Sequence, residues 1–117
     1  MFNWFRKKEV KALHALSVDV HSHLLPGLDD GVKSFEEAEA LILYFSRLGY
    51  GKLITTPHVM SDTYRNTSSI ILHKCEELKS HISAKGIQIE ICAAAEYYLD
   101  EYLMTMLESD EQLLTLG

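Results

Sequence analysis

A chain of 117 residues that is 47% hydrophobic and 24% charged has the length and composition of one ordinary packed domain. Its formal charge of -6, from 17 acids against 11 Lys and Arg, argues against duplex nucleic acid as the main partner, because neutralising phosphates takes a basic face. Cys75 and Cys92 lack a Cys-x-x-Cys spacing, so neither a zinc ribbon nor a redox dithiol is indicated, and no apolar run has the length of a membrane span or a secretory signal core.

Residues 1–16 form a basic segment in which Arg6, Lys7, Lys8 and Lys11 crowd together while Phe2, Phe5, Val10, Leu13 and Leu16 fall roughly on one side of a helix. A short amphipathic helix packed on the domain, or a disordered arm, is expected there in preference to a membrane-surface anchor. Residues 17–117 are the domain itself. Residues 17–20 read as a first strand, and the Leu-Pro-Gly and Asp-Asp-Gly steps of residues 24–31 then carry turn chemistry. Ser34 with Glu37 makes a capping box, and Phe35, Ala38, Leu41, Ile42, Phe45 and Leu48 recur at helical spacing up to Gly49.

Residues 52–56 are a second short strand, stopped by Pro57, and residues 61–69 hold a polar loop with the next N-cap. The spacing predicts a helix over 68–85 with Ile71, Leu72, Cys75, Leu78 and Ile82 on one stripe, ended by Gly86. Ile87, Ile89 and Ile91 alternate with Gln88 and Glu90 as a third strand, residues 100–109 form a final short helix, and residues 113–116 begin a fourth strand. The order β-loop-α-β-loop-α-β-α-(β) predicts an α/β fold of parallel strands joined by helical crossovers. No Lys or Arg follows Lys85, and the acids of this end are read as solvated faces, with Glu96 as the exception.

In such a fold the C-terminal strand ends share one rim, where residues distant in sequence converge. His21 and His23 leave the first strand two residues apart, so the strand period directs both imidazoles to one face. His58 follows the second strand, Glu96 follows the third among small alanines, and Asp29-Asp30 lies in the loop beside the first. Taken singly, a His pair is often an exposed coincidence and an Asp-Gly step only a turn. Together, the imidazole and carboxylate donors suit manganese, zinc or iron better than calcium or magnesium. Clustered divalent ions point to phosphoester hydrolysis, with Arg65 a candidate phosphate contact. His14, His73 and His81 are expected to be structural or exposed, and neither Cys75 nor Cys92 opens a Cys-x5-Arg phosphate loop.

The stretch Val18-Asp19-Val20-His21-Ser22-His23-Leu24-Leu25-Pro26-Gly27-Leu28-Asp29-Asp30-Gly31, followed by Thr55-Thr56-Pro57-His58 and Ala95-Glu96-Tyr97-Tyr98, resembles the polymerase and histidinol phosphatase (PHP) superfamily. Within it, the similarity is to the bacterial manganese-dependent protein tyrosine phosphatases of the CpsB/CapC/YwqE type. The resemblance implies the N-terminal part of a distorted (β/α)7 barrel with up to three metal ions at the strand ends. It implies His21, His23, Asp30, His58 and Glu96 as metal ligands, with Asp30, His58 and Arg65 expected to carry catalysis. Members of this type dephosphorylate tyrosines on kinases that control capsule or exopolysaccharide export. The implied role is therefore that of a cytoplasmic regulator that meets the membrane only through its kinase. Histidinol-phosphatase-like action on a small phosphoester, and a non-catalytic module that binds metal or a partner, are the alternatives.

A closed barrel of this kind takes roughly 200 residues. The family's remaining ligands, a glutamate, a histidine and an Asp-x-His, fall beyond residue 117. The expectation is either the front part of a longer protein or a shortened product that covers its open edges by self-association and holds fewer metals.

Overall fold

Three strand-helix units, each punctuated by residues whose backbone preferences are strong, set the course of the chain. The computed structural model describes residues 18–115, so the basic segment with His14, the first residue of the expected first strand and the last residue of the expected fourth strand lie outside the described residues. The elements are β1 (Val18–Asp19), α1 (Phe35–Arg47), β2 (Lys52–Thr55), β3 (His58–Val59), α2 (Ser68–Ala84), β4 (Glu90–Ala93), β5 (Glu96–Tyr97) and α3 (Glu101–Glu108).

Helix α1 starts where Ser34 accepts the Glu37 N–H at 3.1 Å; the return bond of the box runs from the Lys33 N–H to Glu37 Oε2 at 2.7 Å. Helix α2 is capped by Thr67 and α3 by Asp100, each through a side-chain oxygen that takes an N–H three residues on. Gly49 and Gly86, at φ of 99° and 74°, turn the chain out of α1 and α2 in the left-handed region.

All pairings are parallel, as the helical crossovers require. β2 lies between β1 and β4, while β3 and β5 form a separate pair. Pro57 ends β2, as expected, because it has no N–H to give the ladder. The pairing nevertheless resumes beyond it: the Pro57 carbonyl accepts the Glu96 N–H at 2.8 Å, and His58 pairs with Glu96. The register that opposes Thr55 to Ala93 in the main sheet therefore runs on unbroken into β3–β5.

Helix α2 lies over β4 and against α1, and Ile42, Leu53, Ile71, Leu78 and Ile91 are fully enclosed between these layers. The buried line of α1 is Ala38 and Ile42; Leu41, assigned to the stripe from its spacing, is 43% exposed, because it sits about 100° around the helix from the line that enters the core. Leu72 is displaced to the flank of α2 for the same reason and is 47% exposed. Ile87 and Ile89 pack against the core but are not in the strand. The partner strand supplies its first acceptor only at Gly51, which takes the Glu90 N–H, so the residues before Glu90 have nothing beside them to pair with. Residues 113–115 are likewise not a strand; Leu114 is held by its carbonyl to the Ala95 N–H and by its N–H to the Tyr97 hydroxyl. No helix among the described residues is long and apolar enough to cross a membrane.

Leu78 belongs to this core with none of its surface exposed. Leu78→Ala is expected to lower unfolding free energy by about 2–5 kcal/mol, read from the urea midpoint at unchanged slope.

Candidate metal centre

The unbroken register sets His58 beside Glu96, and in parallel strands paired residues present side chains to the same side. From the other flank, β1 runs into His21 and His23, tied to β2 by the Thr56 N–H and the Thr55 hydroxyl, both of which donate to the Ser22 carbonyl. The Thr55 hydroxyl oxygen also accepts the Leu24 N–H at 2.9 Å. Three chain segments thus meet at the rim predicted from the sequence.

At their meeting point one atom is crowded. Glu96 Oε2 lies 3.3 Å from His23 Nε2, 3.3 Å from His58 Nδ1 and 3.7 Å from His21 Nε2. Neither Glu96 Oε2 nor His58 Nδ1, both buried, makes a hydrogen bond. Buried polar atoms are nearly always satisfied, so imidazole nitrogens gathered around an unbonded carboxylate oxygen are the signature of a shell that takes a cation. His21, His23 and Glu96 form one such group; His23, Asp29, Asp30 and His58 form a second that shares His23. The donor set fits a divalent transition metal.

Within the second group the two aspartates divide the work. Asp29 is buried, and both its oxygens are engaged: Oδ1 accepts the Gly31 N–H at 2.9 Å, and Oδ2 accepts the His58 N–H at 3.1 Å and pairs with His23 Nδ1 at 2.7 Å. Burial works against its ionisation, but the Gly31 N–H, the His23 ring and the His58 N–H outweigh it and hold the carboxyl below its usual value. With Asp29 as acceptor, the His23 proton belongs on Nδ1 and its Nε2 lone pair faces Glu96. Asp29 is therefore the residue that orients the His23 ring and holds the His58 backbone. Asp30, with its side chain 67% exposed, keeps a free carboxylate whose Oδ1 is 3.5 Å from His58 Nε2.

His21 is oriented in the same way. The Thr56 hydroxyl lies 3.3 Å from the Ser22 carbonyl, to which it can donate, and 3.0 Å from His21 Nδ1, so His21 Nε2 is left for the cluster. Buried Asn66 gives its amide hydrogens to the Leu28 and His58 carbonyls, both at 2.8 Å, and so ties the Asp29 loop to β3. His23 and Tyr64 stack on the His58 ring at centroid distances of 4.6 and 5.8 Å, and Tyr98 meets it edge-on at 5.6 Å.

Arg65 stands apart from this group. Its Nε donates to the Ser61 carbonyl at 2.6 Å, and it lines a cavity of about 310 Å³ with Met60, Ser61, Thr67 and Tyr102, none of them a cluster residue. His73 is exposed beside Glu77. His81 stacks on Phe35 at the α1–α2 contact, with Glu39 at 3.5 Å; only two donors meet there, too few for a cation shell. Burial raises the pKa of the Cys75 thiol and keeps it protonated, which suits a core residue and not a nucleophile.

The sequence reading named the Asp29-Asp30 step as an oxygen donor but assigned no role to Asp29 by itself, and it missed Thr56, Asn66, Tyr64 and Tyr98. Asp29 and Asp30 are indistinguishable as neighbours in a turn, and only the folded loop, with Asp29 buried and bonded to His23, Gly31 and His58, reveals which one turns inward. Gly31 is a readable part of this design: a Cβ there would collide with the His23 carbonyl oxygen and Cβ. Asp29→Ala and Gly31→Ala are each expected to weaken manganese binding by about 10- to 100-fold, measured by calorimetric titration, because both release His23.

Comparison with known proteins places these residues in context. The family profile described as "Capsular polysaccharide synthesis, CpsB/CapC" matches residues 17–117. CapC of Staphylococcus aureus is 27% identical over 94 residues, which cover 80% of this chain and 37% of that protein. The tyrosine-protein phosphatase CpsB of Streptococcus pneumoniae is 27% identical over 94 residues, 80% of this chain and 39% of its own length. The tyrosine-protein phosphatase YwqE of Bacillus subtilis is 24% identical over 79 residues, 68% of this chain and 31% of its own. Among solved structures, one from a study of YwqE from Bacillus subtilis and CpsB from Streptococcus pneumoniae, described there as metal-dependent tyrosine phosphatases, superposes with a TM-score of 0.75 at 24% identity. That match covers 85% of this chain and 40% of the other, and it establishes a shared fold. The chain thus spans under two fifths of the length of the curated relatives named here, and through its match over residues 17–117 it belongs to the CpsB/CapC family of capsular polysaccharide synthesis proteins.

Proposed function

We propose that this chain supplies a divalent-metal centre for the hydrolysis of phosphotyrosine in proteins, as part of a barrel-type phosphatase. The reading rests above all on Glu96 Oε2, a buried carboxylate oxygen without a hydrogen bond and with imidazole nitrogens of His21, His23 and His58 within 3.7 Å. Its support in substrate comes from relatives named as tyrosine-protein phosphatases.

In this reading His21, His23, His58 and Glu96 hold the metal, and Asp30 adds an oxygen donor from the loop. Manganese is the preferred ion, with iron or zinc fitting the same donors. A bound divalent cation supplies Lewis acidity, which neutralises phosphoryl oxygens and makes water acidic enough to attack at neutral pH. The chain's own residues supply order. Asp29 fixes the tautomer and tilt of His23, Thr56 does the same for His21, and Asn66 braces the backbone of His58. Arg65 contacts phosphate in this reading only if its loop swings, since its Nε is spent on Ser61. The substrate class that fits the family description is a phosphotyrosine protein, a kinase of capsular or exopolysaccharide synthesis, met in the cytoplasm.

Phosphate release from a phosphotyrosine peptide with added manganese is the direct test. His21→Ala and Glu96→Ala should each lower both the metal affinity and the rate by at least about 100-fold, since each removes a donor outright where loss of an outer partner alone costs up to that much. Unchanged rates in both variants would sink the metal-site reading. Faster turnover of histidinol phosphate than of the peptide would move the substrate to small phosphoesters, and tight manganese binding without turnover would leave a binding module.

A further inference from the structure

The phosphoryl chemistry proposed above does not by itself distinguish an aryl phosphate from an alkyl one, because both present the same phosphate to the same donors. Something beside the metal cluster has to touch the organic group. The aromatic residues around His58 are the groups in position to do so.

His58 is flanked on its ring by His23 and Tyr64, whose planes lie within 26° and 18° of its own. Those contacts hold the imidazole in place. Tyr98 is arranged differently: its ring stands at 75° to His58, with centroids 5.6 Å apart, and the residue is 46% exposed. Its neighbour Tyr97 packs against the core and Tyr98 does not, so the Tyr98 ring is left to His58 and to solvent. The position of Tyr98 is nonetheless fixed by its backbone. Its N–H donates to the Val59 carbonyl at 3.2 Å, and its carbonyl accepts the Asp100 N–H at 2.9 Å, directly after the β5 strand that carries Glu96. An exposed aromatic ring, anchored through its backbone two residues from the central carboxylate, stands beside the cluster.

We propose that Tyr98 is the specificity residue of this site, packing against the aromatic ring of an aryl phosphate and so favouring phosphotyrosine over alkyl phosphates. Tyr64 is a positioning residue that keeps the His58 imidazole upright beside it. The proposal rests on the phosphatase reading for the seat of the phosphate, but it assigns the selectivity to a residue outside the metal-ligand set. A ring-on-ring contact of this kind is worth between about two- and tenfold in affinity.

Non-hydrolysable probes separate the two ideas. Calorimetric titration of the full chain with manganese present compares phenylphosphonate with methylphosphonate, which share a phosphonate head and differ in the ring. The native chain should prefer phenylphosphonate by about five- to tenfold, within the range of one aromatic contact. Tyr98→Phe, which keeps the ring, should retain that preference, and Tyr98→Leu should bring the ratio close to one. Binding of both probes with a ratio that Tyr98→Leu leaves unaltered would overturn the assignment of Tyr98 while the phosphatase reading stands. Binding of neither probe by the native chain would overturn the phosphatase reading, and this inference with it.

Discussion

The parallel register between the β2–β3 and β4–β5 segments is the constraint on which everything at the rim depends. It passes through a proline that interrupts the ladder, yet it does not slip, because the Pro57 carbonyl still accepts the Glu96 N–H. A one-residue slip in a strand turns every side chain to the opposite face. Here it would separate His58 from Glu96, point one of them into the helix layer, and leave the histidines of the first segment without a carboxylate to converge on. Pro57 is therefore better regarded as a device that releases the ladder for one step than as the end of the strand. The hydrogen bonds on either side of the break keep the count.

Asp29 translates that register into a fixed orientation of ligands. A carboxylate loses hydration when buried, and the loss is tolerable only when charge-assisted hydrogen bonds replace the water. Asp29 receives three such contacts, from two backbone N–H groups and one imidazole, and each comes from a different part of the site. The loop after β1, the histidine pair and the start of β3 are thereby locked to one small group. Gly31 makes the closure possible, since the loop passes so near His23 that no side chain fits between them. The Asp-Asp-Gly step is thus three functions in sequence: an anchor, an exposed donor, and a residue with no side chain to obstruct either.

The helices are legible in the sequence because their signals are local. Ser34, Thr67 and Asp100 each cap a helix from one position outside it, and Gly49 and Gly86 close the longer two. The convergence of His21, His23, His58 and Glu96 is also readable, because parallel strands have one shared carboxyl end and each of these residues sits just past a strand. Strand extent is less readable, since pairing belongs to two segments at once. The Ile87–Ile89 alternation looks like a strand, but the neighbouring strand does not begin until Lys52, and no partner is present for the earlier residues. The inward turn of Asp29 and the orienting bonds of Thr56 and Asn66 are invisible for the same reason, as each depends on atoms more than two dozen residues away or across a loop.

Metal binding at the proposed centre would be coupled to folding in this arrangement. The three segments that meet at Glu96 come from the start, the middle and the later part of the described chain, and their contact consists of imidazole nitrogens around an unbonded carboxylate oxygen, a poor source of cohesion. A cation shared by those atoms would join the β1 exit, β3 and β5 directly. Its binding free energy would add to the stability of the fold in proportion to the logarithm of its concentration above the dissociation constant. The hydrogen bonds of Asp29, Thr56 and Asn66 hold the rings close to their working orientation in advance, so less ordering is left to be done on binding. The rim is accordingly preorganised on its outer partners and unsatisfied at its centre, which is the distribution of order expected of a site whose last bond is made by the ligand.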